Sequence, residues 1–260
     1  MNTIINLEEL CFHYSNRAVL TNINLNIYKN TTNIILGANG VGKSTLLRLI
    51  AGFLHPDTGN ILFEQEDMKK LDKGYLSRKI AYVSQESTFS FPFSVLEIVL
   101  LGRSPYSGLF EFESKADYII AENALELVGI SHLRDRIIHE VSGGEKQLVS
   151  IGRAIAQDPQ VMILDEPGTF LDLKHKSQIY NSLDRIKNEK GISIIIATHD
   201  INSVRNEFDN FILLKNGEIY KQGKVTDVIN EFNLSEIYGT PVKLIKHENN
   251  FFVAADHLNN

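Results

Sequence analysis

Asn33-Ile34-Ile35-Leu36-Gly37-Ala38-Asn39-Gly40-Val41-Gly42-Lys43-Ser44 begins as a short apolar run and ends in a lysine–serine pair. The run is rich in β-branched residues and stops at Gly37, so it reads as a buried strand entering a tight turn. From about Lys43 to Ala51 the spacing predicts a helix closed by Gly52. Between the two, Gly37 to Ser44 matches G-x-x-x-x-G-K-[ST] in the strand–turn–helix context that the pattern requires. Such a loop turns backbone N–H groups inward around phosphate oxygens, and the positive end of the following helix adds attraction. Gly37, Asn39, Gly40 and Gly42 form the predicted cradle, with Thr45 next to it in the helix. Lys43 would neutralise β- and γ-phosphate charge, and the Ser44 hydroxyl would ligate Mg2+.

The rest of the chain supplies the sheet around that strand. Val161-Met162-Ile163-Leu164-Asp165-Glu166 puts two carboxylates at the end of a second buried strand, where ligands of open α/β sheets bind. There Asp165 can hold Mg2+ through water, and Glu166 is placed to polarise an attacking water. Lys174 to Lys190 carries Ile179, Leu183 and Ile186 at helical spacing, and Ile192 to Ala197 reads as a third buried strand. Strand, helix, strand with continuous apolar strands predicts a parallel α/β core. His199, in Ala197-Thr198-His199-Asp200, follows that strand within reach of a γ-phosphate. Gln85, in Ala81-Tyr82-Val83-Ser84-Gln85, follows another short apolar strand, and its amide could reach Mg2+ or the water.

Residues 20–27 alternate apolar and polar, which predicts a half-exposed antiparallel strand. The stretch 94–157 reads as mostly helical. Ser94 and Glu97 suit a capping box. Ile119, Ile120, Ala124, Leu125 and Val128 form one stripe, stopped by Gly129. Short strands return at Phe211–Leu214 and Glu218–Tyr220 around Asn216-Gly217, and a last hairpin is predicted over 243–254 around Asn249-Asn250.

Composition sets the outer limits. The 260 residues are 43% hydrophobic and 22% charged, ordinary for a globular chain and unlike a disordered, collagenous or disulfide-stapled one. With 26 basic against 32 acidic residues, the net charge of −6 lacks the electrostatic footprint of a dedicated nucleic-acid binder. Cys11 is the sole cysteine, so no internal disulfide forms, which fits a reducing compartment. No apolar run approaches the ~18 residues of a membrane span. Met1 to Asn6 lacks the basic-then-apolar pattern of a secretory signal, so none is expected.

Val141-Ser142-Gly143-Gly144-Glu145 stands just before a helix predicted to run to about Gln157, about twenty residues ahead of Asp165-Glu166. With the phosphate loop, this order of motifs resembles the nucleotide-binding subunit of an ABC (ATP-binding cassette) transporter over residues 3–240. The resemblance implies an α/β fold: a P-loop NTPase core with a mixed, largely parallel sheet, an antiparallel β subdomain and a helical insertion. It implies one domain over 1–240, a helical subdomain at about 90–157, and a short extension over 241–260. ATP and Mg2+ are the implied ligands. Tyr14 resembles the aromatic residue that stacks on adenine, and Gln85 the lid glutamine. Ser142, Gly143 and Gly144 resemble the signature whose helix N-terminus faces nucleotide. Asp165 is then the metal-linked aspartate, Glu166 the general base, Asp172 the end of the D-loop and His199 the switch histidine.

The same resemblance implies a second copy of the chain, with two ATP molecules sandwiched between copies, and membrane permease subunits served indirectly by a substrate-binding protein. It places the chain peripherally on the cytoplasmic face of the cell membrane, with no nucleic-acid partner. Three features depart from the family pattern. Ala38 replaces a common proline, and Val141 and Glu145 replace the usual leucine and glutamine. The third is Gly168-Thr169-Phe170-Leu171-Asp172, where the family favours Thr, then Ser or Asn, then Ala or His before Leu-Asp. Phe170 is expected near the dimer interface. Glu166 and His199 are both present, which predicts hydrolytic competence. Phe91-Pro92-Phe93-Ser94-Val95, Gly102-Arg103 and Pro105-Tyr106 resemble importers for iron–siderophore, haem and cobalamin, with Phe89, Phe91 and Phe93 as a candidate partner surface. The alternatives are a molybdate or other metal importer, a soluble non-transport ABC ATPase, and a regulatory module that does not turn over. A small kinase or GTPase is disfavoured by the Ser142-Gly143-Gly144 signature and by the lack of an Asn-Lys-x-Asp sequence.

Overall fold

The computed structural model describes residues 2–86, 89–106, 113–203, 205, 207–247 and 250–256. In chain order the elements are β1 (Thr3–Tyr14), β2 (Arg17–Tyr28), β3 (Thr32–Leu36), α1 (Lys43–Ile50), β4 (Thr58–Phe63), β5 (Glu66–Asp67), α2 (Lys73–Lys79), β6 (Ile80–Val83), α3 (Val95–Leu100), α4 (Lys115–Leu127), α5 (Gly143–Ala156), β7 (Val161–Asp165), α6 (Leu173–Lys190), β8 (Ser193–Thr198), β9 (Asn210–Lys215), β10 (Glu218–Gly223), α7 (Val225–Val228), α8 (Glu231–Tyr238), β11 (Val242–His247) and β12 (Asn250–Ala255). The chain divides into two compact units, residues 1–71 with 195–260, and residues 72–194.

The first unit carries an antiparallel sheet of order β2-β1-β4-β5. The alternation over residues 20–27 is present, but it changes phase once. Leu20 is buried, then Ile23, Leu25 and Ile27, because Asn22 sits at φ 50 and the register with β1 slips there. An inserted residue of this kind is a β-bulge, which resets which face the next side chains take. Beside this sheet, the unit holds the order β10-β9-β3-β8. β3 runs parallel to β9 in the register Ile34↔Phe211 to Leu36↔Leu213, and β9 is antiparallel to β10. All five residues of β3 are buried, as expected for a strand covered on both faces. Asn216 and Gly217 both take positive φ, 50 and 79, the turn that a two-residue hairpin requires. The last hairpin pairs Val242↔Ala255 through His247↔Asn250. Asn249 of its predicted turn lies outside the described residues.

The second unit holds the parallel pair β6·β7, in register from Ile80↔Val161 to Val83↔Leu164, and the helices. α3, α4 and α5 each start with a reciprocal capping box, Ser94–Glu97, Ser114–Asp117 and Ser142–Glu145. Each box satisfies helix N–H groups that would otherwise lack partners. α5 buries Leu148, Val149, Ile151 and Ile155, and α6 buries Ile179, Leu183 and Ile186 as their spacing predicts. Arg103 is buried, donates to Asp117 Oδ1 at 2.9 Å and to the Ala156 carbonyl at 2.8 Å, and stacks 3.9 Å from the Tyr106 ring. The Ser114 and Arg103 donors hold the Asp117 carboxyl well below its ordinary value, at about 2. Arg103 and Tyr106 thus brace the helices. Among the described residues no helix is long and apolar enough to cross a membrane.

Candidate functional site

In the first unit, α1 begins at Lys43 directly after Gly42, whose φ of 106 and ψ of 7 serve as the helix N-cap. A residue with a Cβ is strained at that φ, so the glycine is required by the turn into the helix. No side chain caps α1, which leaves its first N–H groups turned toward the loop. Lys43 is only 5% exposed, and its Nζ donates to the carbonyls of Gly37 at 2.9 Å and Ala38 at 3.1 Å. The loop therefore presents a buried ammonium and a helix N-terminus together. Burying such a charge costs several kcal/mol unless it is compensated, and a phosphate oxyanion is the complement of both features. Ser44 is half-buried and Thr45 buried in the first turn, while Asn39 and Gly40 are exposed at the tip of the loop.

His199 follows β8, the neighbour of β3 in the strand order. Its backbone is held where the Tyr238 hydroxyl donates to the His199 carbonyl at 3.0 Å. Burial, with Asp200 nearby, pushes the Tyr238 hydroxyl well above its ordinary pKa, so it stays protonated and remains a donor. Tyr14 ends β1, exposed, with its ring perpendicular to that of Phe12 at 4.9 Å between centroids.

In the second unit, β7 is buried throughout and delivers Asp165 and Glu166, 4% and 8% exposed. The Tyr82 hydroxyl donates to Asp165 Oδ2 at 3.0 Å. This contact follows from register. Tyr82 pairs with Ile163, and Ile163 and Asp165 share a face of β7. Glu166 takes φ 48, in the left-handed region that costs a non-glycine residue roughly 1–2 kcal/mol. Glu166-Pro167-Gly168-Thr169 is a turn closed by the Thr169 N–H on the Glu166 carbonyl at 3.1 Å, and the Thr169 hydroxyl donates to Glu166 Oε2 at 2.9 Å. Phe170 follows at φ 64 and is 91% exposed. Gln85 lies two residues beyond β6, exposed; since β6 and β7 are parallel, it leaves the same edge as the two carboxylates.

Ser142 caps α5, and the Glu145 carboxylate completes the same cap, accepting from the Ser142 N–H and hydroxyl at 2.8 Å each. Those two bonds hold the Glu145 carboxyl below its ordinary value. Gly143 is open to solvent, whereas a Cβ on Gly144 would lie 2.5 Å from the His175 ring. Asp172 caps α6, accepting from the His175 N–H at 2.8 Å and facing His175 Nδ1 at 2.8 Å. His175 thus connects the signature turn to the D-loop.

The structure therefore groups the predicted residues into two sets. Tyr14, the loop from Gly37 to Thr45 and His199 belong to the first unit. Gln85, Ser142 to Gly144, Asp165, Glu166 and Asp172 belong to the second. Sequence reasoning missed Tyr82, Thr169, His175 and Tyr238. Thr169 alone had a visible signal, a hydroxyl three residues after Glu166 across a Pro-Gly turn.

A glycine-bounded loop around a buried lysine, opening a helix after a buried strand, defines a P-loop nucleotide-binding protein. The serine-capped glycine pair ahead of the acidic strand sets this one among the ATP-binding cassettes. The model of the family described as ABC transporter matches residues 20–169, and the chain belongs to that family. It is an ATP-binding ATPase subunit. It is similar to a petrobactin import ATP-binding protein of Bacillus anthracis, 31% identical over 238 residues, covering 92% of this chain and 87% of that one. It is also similar to a hemin import ATP-binding protein of Hahella chejuensis, 34% identical over 239 residues, covering 89% and 91%. Among solved structures, a metal-chelate type ABC transporter in an inward-facing conformation superposes with a TM-score of 0.84 at 29% identity, covering 97% of this chain and 96% of that one.

Proposed function

We propose that this chain powers an importer of iron chelates of the siderophore or haem type, as a pair of copies that close on ATP beneath a membrane permease. The observation that carries ATP use is Lys43, a buried ammonium fixed by the carbonyls of Gly37 and Ala38 at the start of α1. The names of the relatives, petrobactin and hemin import proteins, support the cargo class. Phe91 and Phe93, exposed with ring centroids 5.9 Å apart beside half-buried Phe89, support a partner surface.

In the proposed cycle Lys43 and the N–H groups of α1 bind the β- and γ-phosphates, and Tyr14 stacks on the base. The family resemblance gives Mg2+ to the Ser44 hydroxyl, the Asp165 carboxylate and the Gln85 amide oxygen, each of them the hard oxygen donor that such a cation takes. When bound, the cation would neutralise phosphate charge. Glu166 accepts a proton from the attacking water, and His199 donates a hydrogen bond to the γ-phosphate. Ser142 to Gly144, at the N-terminus of α5, offer a second anion-binding helix end, suited to nucleotide held by a second copy. ATP binding would shift the pair toward a closed state, and hydrolysis would release it.

Affinity purification of the chain from detergent-solubilised native membranes tests this reading, with partners identified by mass spectrometry. A polytopic membrane protein co-purifying in equal amount is the expected result. Recovery with soluble partners only, and absence from the membrane fraction, would shift the reading to a non-transport ABC ATPase and leave the ATP site in place.

A further inference from the structure

We infer that Thr169 is a positioning residue for Glu166, its hydroxyl fixing the carboxylate that polarises the attacking water. The inference rests on the reading of Glu166 as general base, and it concerns the segment where this chain departs from its family. Thr169 grips Glu166 twice. Its N–H closes the turn on the Glu166 carbonyl at 3.1 Å, and its hydroxyl donates to Oε2 at 2.9 Å. The side-chain bond selects one carboxylate oxygen and so fixes the orientation of the group. A carboxylate on a three-torsion side chain has many rotamers to lose on each turnover, and a hydroxyl that holds one of them removes that cost before substrate arrives.

The need for such a hold is visible in the backbone. Glu166 sits at φ 48, a conformation that persists only where the surroundings over-determine it. The neighbouring residues do so by turn chemistry. Pro167 occupies the second position of the turn, where its fixed φ belongs, and Gly168 carries the carbonyl that accepts from the Leu171 N–H at 3.3 Å. A Cβ at Gly168 would meet only the Lys176 side chain, at an ordinary 3.5 to 3.8 Å. Moving the hydroxyl to position 168 would take it off the residue whose N–H already bonds Glu166. The hydroxyl at position 169 is therefore the one set on the Glu166 carboxylate.

The test compares Thr169→Val, Thr169→Ser and Glu166→Gln in the full chain purified with its membrane partner. It reads kcat and KM for ATP, the equilibrium dissociation constant for ATP, and the melting temperature. Thr169→Val keeps the branched shape and removes the hydroxyl. It should lower kcat about tenfold or more, as expected when a hydrogen bond to a charged group is lost, with ATP affinity and KM within about twofold of the parent. Thr169→Ser should restore kcat. Parental kcat in Thr169→Val beside an inactive Glu166→Gln would overturn the positioning role and spare the base. Equal loss in Thr169→Val and Thr169→Ser would assign the effect to packing and overturn it too. Full activity in Glu166→Gln would remove the base reading itself, and this inference with it.

Discussion

The phosphate loop and the acidic turn are held by opposite means. From Gly37 to Gly42 the main chain does the holding. Gly40 and Gly42 take φ 80 and 106, and the side chain of Lys43 is anchored on main-chain carbonyls. From Asp165 to Asp172 the side chains do it. Tyr82 holds Asp165, Thr169 holds Glu166 and Asp172 holds the His175 N–H, while two residues that carry Cβ atoms, Glu166 and Phe170, sit at positive φ. A loop fixed by its main chain accepts a side-chain change that leaves the main chain in place. A turn fixed by side chains depends on single hydroxyls and carboxylates.

The largest effect that would break this contrast is on turnover. Glu166→Gln keeps the shape and the Thr169 contact but cannot take a proton. It should lower kcat by a factor of roughly 10² to 10⁴, the usual weight of a general base, while ATP affinity persists and an ATP-bound dimer accumulates on size-exclusion chromatography. A monomer under all conditions, despite measured ATP binding, would count against the paired arrangement. Lys43→Ala should act on the other quantity, weakening ATP affinity by about ten- to a hundredfold through loss of a charge-assisted contact. Isothermal titration reads it. Unchanged affinity would mean that the main chain alone binds the phosphates.

How much of this was legible in the sequence follows the same division. The phosphate loop could be read residue by residue, because a glycine pattern specifies main-chain geometry directly. Ser142 and Glu145 were legible as part of a motif, though their capping box was read only for Ser94 and Glu97. β1 and β4 went unseen. In β1 a bulge at Glu9, φ 47, puts Leu10 and Phe12 out of phase with Ile5 and Leu7, which breaks the two-residue period by which a strand is recognised. The hydrogen bonds of the acidic turn were not legible either. Tyr82 lies 83 positions from Asp165, and only the register of β6 on β7 brings its hydroxyl there. Asp172, the end of the D-loop by resemblance, is also the cap of α6, a role the sequence reading did not assign.

A smaller effect separates two adjacent glycines. A Cβ at Gly143 meets nothing within 4 Å, and alanine there should add helix propensity and leave stability equal or slightly higher. A Cβ at Gly144 would lie 2.5 Å from His175, and alanine there should cost about 1–3 kcal/mol as the ring is displaced. Urea unfolding of the two variants gives both signs in one experiment. Equal stabilities would mean that His175 moves aside at no cost and does not tie the signature turn to the D-loop.

The smallest effect tests whether Asp172 holds its turn by charge or by shape. The His175 N–H, then the His175 ring, hold the Asp172 carboxyl below its ordinary 3.8. A carboxyl with a lowered folded value contributes stability above its unfolded pKa and loses it as pH falls through the folded one. The contribution is therefore complete above about pH 4 and fades below it. Asparagine caps a helix as well as aspartate does but cannot titrate, so Asp172→Asn should match the parent most closely in acid and fall slightly behind at neutral pH. Asp172→Ala, with no cap at all, should be less stable than either across the range. Denaturation midpoints from pH 7 to 3 check this. If Asp172→Asn trails the parent by the same margin at every pH, the carboxylate acts through shape alone and its charge does nothing for the turn.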